Sequence, residues 1–248
     1  VKRTFLSWIV ASCVLGSAQA LNWVPVIDTD FENYSIGALH GQFGWTAGKE
    51  KGGKAPVVFK TPAGPTIGNQ AVLLEIGKDQ GDASWMEYAF SDLIAQGYKH
   101  LFVSFDVYRV ADGTDQNLWW WLVDTGEPTY GLQWDIGGTA PHGWNPGAGS
   151  APTIFGRYAK VEMEWDLETN LAYSWYDGAI VDNGIPVKNI NTLTGWDIWF
   201  SHDAASGDVG DLAYVDNFKI MAAKPVPEPA TMSALGFGLL LALKRRKK

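Results

Sequence analysis

Cysteine is almost missing from these 248 residues: the one cysteine, Cys13, lies in the leading apolar segment. The rest of the chain therefore forms no internal disulfide, no thiolate metal site and no cysteine nucleophile. Histidine is scarce as well, and His40, His100, His142 and His202 stand without metal-ligand spacing. There is no Gly-x-Ser-x-Gly elbow, no phosphate loop and no dinucleotide fingerprint, which leaves serine-hydrolase and nucleotide chemistry unsupported. Positive charge is short in the body. Seven of the 19 basic residues sit at the two ends, and the remaining 12 face 26 acidic residues once Glu228 is set aside, a balance of −14. Such a body repels nucleic acid phosphates and anionic membrane surfaces. No repeat at solenoid or propeller spacing is present.

What is present divides into two ends and a middle. Lys2 and Arg3 precede an apolar run from Phe5 to Gly16, followed by Ser17-Ala18-Gln19-Ala20. This is the pattern of a secretory signal peptide over residues 1–20, cut by signal peptidase after Ala20. The run is well short of the ~20 residues that span a bilayer. At the other end Val226-Pro227-Glu228-Pro229 is followed by an almost uncharged stretch, Ala230 to Leu243, and a basic cluster, Lys244 to Lys248. As a helix at ~1.5 Å per residue the stretch over 230–243 is a short transmembrane segment, and the basic cluster keeps its end cytoplasmic with the body outside.

That tripartite tail, with Pro227, Glu228 and Pro229 as its sorting motif, resembles the PEP-CTERM sorting signals of Gram-negative and related bacteria. The resemblance implies that residues 226–248 are recognised by an exosortase, which cleaves near the motif. The protein would then be transiently anchored in the inner membrane and end at the cell surface or in the extracellular matrix.

Between the ends the chain is strands and turns. In Leu101 to Tyr108, Leu101, Val103, Phe105 and Val107 share one face at a period of two. Similar runs are Val26–Glu32, Ala71–Ile76, Ser84–Phe90, Leu118–Val123, Tyr130–Ile136, Tyr158–Asp166, Leu171–Tyr176, Trp196–Ser201 and Leu212–Met221, with turn signals such as Asp177-Gly178 between them. Only Ser91 to Gly97 has helical character, and 137–152 is expected as one long loop. Many strands without alternating helices predict an all-β, antiparallel two-sheet jelly-roll sandwich over 21–221, then a linker at 222–225. Asp30-Phe31-Glu32 with Gly44-Trp45, the hairpin from Lys160 to Gly178 and the closing Tyr214-Val215-Asp216-Asn217-Phe218 resemble the laminin-G-like, concanavalin-like jelly rolls, whose members bind glycans, bind proteins or act as spacers.

Three constellations carry chemistry. Glu164, Asp166 and Glu168 would share a face if the strand stayed extended, ~6.6 Å per two residues. A retaining glycosidase uses two carboxylates about 5–5.5 Å apart. The pattern resembles the Glu-x-Asp-x-Glu signature of laminarinase-like glycoside hydrolases of family sixteen, which implies Glu164 as nucleophile, Asp166 as its helper and Glu168 as acid/base. The same residues also fit a hairpin turn beginning at Asp166. Second, Asp30 and Glu32 on the first strand and Asp216 on the last are candidate ligands of a structural calcium, which takes six to eight oxygens; edge-strand acids that prevent sheet pairing are the alternative. Third, Trp120, Trp134 and Trp144 are candidate stacking surfaces for sugar rings, against the alternative of packing in the core. Together these predict an exported, non-catalytic protein that binds extracellular polysaccharide or has a structural role, with glycoside hydrolysis as the second reading.

Overall fold

The computed structural model describes residues 21–226 except 61–66, 78, 80, 111–115, 124–131, 138–139, 143–150, 188–189 and 203–211; residues 116–123, 132–137, 140–142 and 202 are followed as backbone. The expected signal peptide over 1–20 and the expected tail helix over 230–243 lie outside the described residues. The chain divides into a unit Trp23–Ala223 and a second one made of Val1–Asn22 and Lys224–Lys248. Among the described residues, no helix is long and apolar enough to cross a membrane.

Among the described residues fifteen strands follow in order: β1 (Leu21–Thr29), β2 (Gly37–Ala38), β3 (Trp45–Glu50), β4 (Lys54–Lys60), β5 (Gln70–Glu75), β6 (Ala83–Ala89), β7 (His100–Arg109), β8 (Gln116–Val123), β9 (Leu132–Gly137), β10 (Ala140–His142), β11 (Tyr158–Asp166), β12 (Leu171–Tyr176), β13 (Ala179–Pro186), β14 (Gly195–His202) and β15 (Leu212–Pro225). They build two antiparallel sheets. The nine-stranded sheet runs β13-β12-β11-β7-β15-β5-β4-β2, with β1 also pairing β15, and the six-stranded sheet runs β10-β9-β8-β14-β6-β3. This is the expected jelly-roll sandwich, first strand beside last.

The period-two pattern explains the core. Leu101, Val103, Phe105 and Val107 of β7, and Val161, Met163 and Trp165 of β11, are buried on the inner face of the larger sheet, opposed by Trp196, Ile198 and Phe200 of β14. Trp45 from the smaller sheet meets Phe218 from the larger edge-to-face, ring centroids 5.1 Å apart. Each such side chain contributes about 1.5–3 kcal/mol by leaving water.

The strands without prior expectation are β2, β3, β4, β10 and β13, mostly short or marginal in the sheets, where pairing and packing on one side only leave a weak hydrophobic alternation. The long loop over 137–152 therefore contains a short strand, β10, paired with β9. Ser91 to Gly97, expected as one or two helical turns at most, is a set of tight turns that includes an i→i+4 bond from the Gln96 N–H to the Asp92 carbonyl at 3.2 Å, and the Asp92 carboxylate accepts from the Ile94 and Leu193 backbone N–H groups and holds the segment to the sandwich. Residues 222–225, expected as a linker, are the end of β15, with Ala222 and Ala223 fully buried. The first strand ends at Thr29, and Phe31 adopts a left-handed φ of 59°.

Candidate functional site

The outward face of the six-stranded sheet gathers aromatic and acidic side chains that the strand period forces out of the core. On β14, Trp196, Ile198 and Phe200 point inward, which turns Asp197 and Trp199 to the other face; on β6, buried Ser84 and Met86 likewise leave Trp85 and Glu87 outside. The register sets Trp199 opposite Trp85 and Asp197 opposite Glu87. On the other side of β14, Trp119 stands opposite Trp199 and Trp121 opposite Asp197. One row across the sheet thus runs Gly48, Trp85, Trp199, Trp119, Asp135, and the neighbouring row runs Thr46, Glu87, Asp197, Trp121, Gln133.

The Trp85 and Trp199 rings are parallel within 6°, with centroids 6.3 Å apart. Gly48 makes room for this: a Cβ built there would lie 2.5 Å from Cζ2 of Trp85, so the indole rests against bare backbone. Beside it Asp197 is 6% exposed, and its Oδ1 has no hydrogen-bond partner among the described residues. Burial, reinforced by the Glu87 carboxylate and only partly offset by the Ile198 backbone N–H, pushes the Asp197 carboxyl up to about 8. At neutral pH it is therefore mostly a neutral hydrogen-bond donor beside an acceptor, next to parallel indoles. Indole faces stack on the C–H faces of sugar rings, and such polar pairs bond hydroxyls.

The residues singled out from the sequence are placed as follows. Trp120 stands in register with Ile198, a core residue, and with Trp134; Trp144 lies outside the described residues. The strand carrying Glu164 ends at Asp166. The Asp166 carboxylate accepts from the Glu168 and Thr169 backbone N–H groups and from the Thr169 hydroxyl. Burial pushes Asp166 up, but these bonds outweigh it and hold the carboxyl below its ordinary range. Glu168 points into solvent 3.7 Å from Lys99. The extended arrangement of Glu164, Asp166 and Glu168 required for paired-carboxylate hydrolysis is thus not formed, because the chain turns where the second spacing would begin.

Asp30, Glu32 and Asp216 share one electrostatic neighbourhood, since both of the first two raise the affinity of Asp216 for its proton. The first strand ends at Thr29, so neither Asp30 nor Glu32 is on it, and Glu32 is held elsewhere. Its carboxylate caps the backbone N–H groups of Asn69 and Gln70, which lowers its pKa. Among the described residues no group of three or more His, Cys, Asp or Glu is placed to hold a metal ion. Asp216 sits at a β-bulge, fully buried, with Asn217 at φ 47° donating its side-chain amide to Asp106 at 2.7 Å. Burial, with Asp106 adding to it, raises Asp216 to about 7. A cleft of about 830 Å³ beside this bulge is lined by Asp28, Asp30, Asp106, Lys160, Asn217 and Lys219. Much of its charge is satisfied internally, Lys219 holding Asp28 at 2.8 Å, whereas Glu87 and Asp197 have no cation beside them among the described residues. We therefore take the six-stranded face as the candidate site.

Trp85, Glu87, Asp197 and Trp199 were not candidates from sequence. Their signal is an acid between strand residues of core type, as in Trp196-Asp197-Ile198-Trp199, a pattern that becomes a site only once the register sets Glu87 beside Asp197.

Solved structures share this jelly-roll architecture. The chain is similar to a sialidase (TM-score 0.54, 13% identity, covering 78% of this chain and 18% of that one). It is similar to the carbohydrate recognition domain of Emp47p (TM-score 0.50, 13% identity, 85% and 100% covered). It is also similar to a conserved carbohydrate esterase of the Shiga toxin-encoding bacteriophage phi24B (TM-score 0.53, 14% identity, 81% and 99% covered). The chain spans less than a fifth of the sialidase. At these identities the likeness establishes the fold. Comparison with curated proteins returns no match.

Residues 225–248 match the family model of the PEP-CTERM protein-sorting motif. The chain carries the mark of an exported cell-surface protein processed by an exosortase.

Proposed function

We propose that this protein is an exosortase-sorted surface or extracellular-matrix protein whose jelly-roll body binds glycan, without catalysis, on the outward face of the six-stranded sheet. The observation that carries this reading is the pairing of the parallel Trp85 and Trp199 indoles with the Glu87–Asp197 acid pair in the adjacent row. The likeness to the Emp47p carbohydrate recognition domain supports it at the level of fold. Delivery rests on the tail: Pro227, Glu228 and Pro229 present the cleavage region, and the segment over 230–243 holds the exported body at the inner membrane until the exosortase acts. The test is a glycan-array screen of the full chain beside a reducing-sugar release assay. Binding that is lost in a Trp85→Ala/Trp199→Ala variant, without sugar release, is the expected result; release of sugar, or binding indifferent to both tryptophans, would overturn it.

A further inference from the structure

The outer face of the nine-stranded sheet carries a second array of rings and acids. On β11, Val161, Met163 and Trp165 point into the core, and on β12 Ala172, Ser174 and Tyr176 are buried likewise. The strand period therefore turns Glu162, Glu164, Tyr173 and Trp175 outward, where all are partly exposed. The register sets Glu162 opposite Trp175 and Glu164 opposite Tyr173, within reach of one another across the strands. Each row thus offers one carboxylate and one ring, and the rows succeed each other at ~6.6 Å along β11. The Tyr173 and Trp175 rings are parallel within 11°, with centroids 6.4 Å apart. Gly184 of β13 makes room for the first of them: a Cβ built there would lie 3.3 Å from Cε1 of Tyr173.

The charge of these rows selects the ligand. Neither Glu162 nor Glu164 has a hydrogen-bond or ion-pair partner among the described residues. The strands β12 and β13 contain no basic residue, and on β11 the one lysine, Lys160, stands a row beyond Glu162 and opposite Asp106. The cations at the margins are occupied: Lys219 holds Asp28 at 2.8 Å, Arg157 pairs with Asp177, and Lys99 lies 3.7 Å from Glu168. Two carboxylates without a counter-ion, each beside a ring, suit an organic ammonium. Its hydrogen bond to a carboxylate is roughly twice as strong as that of a neutral hydroxyl, and ring faces attract cations. A polyanion would meet like charge in both rows.

An ammonium can arrive on a lysine stem or on a sugar ring. A lysine side chain loses much rotamer freedom when it is fixed, and a flat, half-exposed face offers little area to offset that loss. An amine carried directly on a pyranose ring is already oriented, and the ring brings a C–H face that stacks on an indole or phenol. We propose that the outer face of β11 and β12 binds a chain of amino sugars with free amines, lying along the strands. Its ammonium groups meet Glu162 and Glu164 while its ring faces rest on Trp175 and Tyr173. This site is separate from the Trp85 and Trp199 face and does not depend on glycan binding there.

The test is isothermal titration of the full chain in mildly acidic buffer, where amines and carboxylates are both charged. Three probes of equal length are compared: deacetylated chito-oligosaccharides, the same oligomers N-acetylated, and oligolysine. The expected result is binding of the deacetylated sugar at least ~10-fold tighter than of the other two, weakening as salt is added. Glu162→Gln/Glu164→Gln, which keeps the side-chain shape, should lose that binding by at least ~10-fold, and Trp175→Ala should weaken it. Trp85→Ala/Trp199→Ala should leave it within about threefold, since those residues lie on the other sheet. Equal affinity for the N-acetylated oligomer, tighter binding of oligolysine, or no binding of the deacetylated sugar would each overturn the inference on the unaltered chain, whatever the variants do. Indifference to the glutamate pair, or loss in Trp85→Ala/Trp199→Ala, would overturn the placement of the site. None of these outcomes decides whether the six-stranded face binds glycan, which the loss of array binding in Trp85→Ala/Trp199→Ala tests by itself.

Discussion

Two buried carboxyls dominate the physical chemistry of single residues. Asp197 is raised to about 8 and Asp216 to about 7, in both cases chiefly by burial. A carboxyl whose folded pKa lies above its unfolded value binds more protons in the native state between the two, so stability falls as pH rises. Its contribution is whole below about pH 4 and is gone above the folded pKa. The expected outcome is a melting temperature that declines between about pH 5 and pH 8, with the Asp197→Asn variant declining less and being more stable at about pH 8.5 by an amount on the order of a few kcal/mol. A scan of thermal unfolding against pH checks this. Gly48 is the other decisive single position. Gly48→Ala places a methyl into the Trp85 indole, and displacing that ring should cost about 1–3 kcal/mol and change the near-ultraviolet circular dichroism of the tryptophans.

At the level of elements, the hairpin β11–β12 and the bulge in β15 decide what the acids do. The hairpin turns at Asp166 because its carboxylate satisfies two backbone N–H groups and the Thr169 hydroxyl, and Asn170 closes the turn at φ 54°. Asp166→Ala should therefore lower stability by about 1 kcal/mol in urea unfolding. Since the Asp166 pKa is depressed in the fold, its contribution is present above the unfolded pKa and fades as pH falls through the folded one. The neighbouring turn at Asp177-Gly178, with φ of 49° and 79°, is of the primed type that matches strand twist, and it was legible as a two-residue hairpin signal. The Glu164-x-Asp166-x-Glu168 spacing misleads for the same reason that turn was readable: both depend on local chemistry, and at Asp166 side-chain bonds to the backbone outweigh extension of the strand.

For the molecule as a whole, charge and destination agree. A body at −14 resists self-association through like-charge repulsion, which fits a chain that carries a sorting signal for the cell surface. The sorting match covers the tail alone, and its role is separable from that of the body. Replacing Pro227, Glu228 and Pro229 by alanine in a host with an exosortase should leave the full-length chain in the membrane fraction, with glycan binding by the exposed body unchanged; release at the normal rate would argue against the motif's role.

The sequence by itself determined the address, the all-β class and most of the strands of the core, because sorting signals are linear and because a period of two is enough to put Leu101, Val103, Phe105 and Val107 on one face. It also anticipated the first strand beside the last, though not the end of the first strand at Thr29, which leaves both Asp30 and Glu32 beyond it and gives Glu32 to Asn69 and Gln70. The candidate site was decided by tertiary structure. Trp85 and Trp199 are 114 residues apart, and Glu87 and Asp197 are 110 apart; only the pairing of β6 with β14 sets them side by side. The raised pKa of Asp197 needs both that neighbour and its burial, and neither is a property of the strand that carries it.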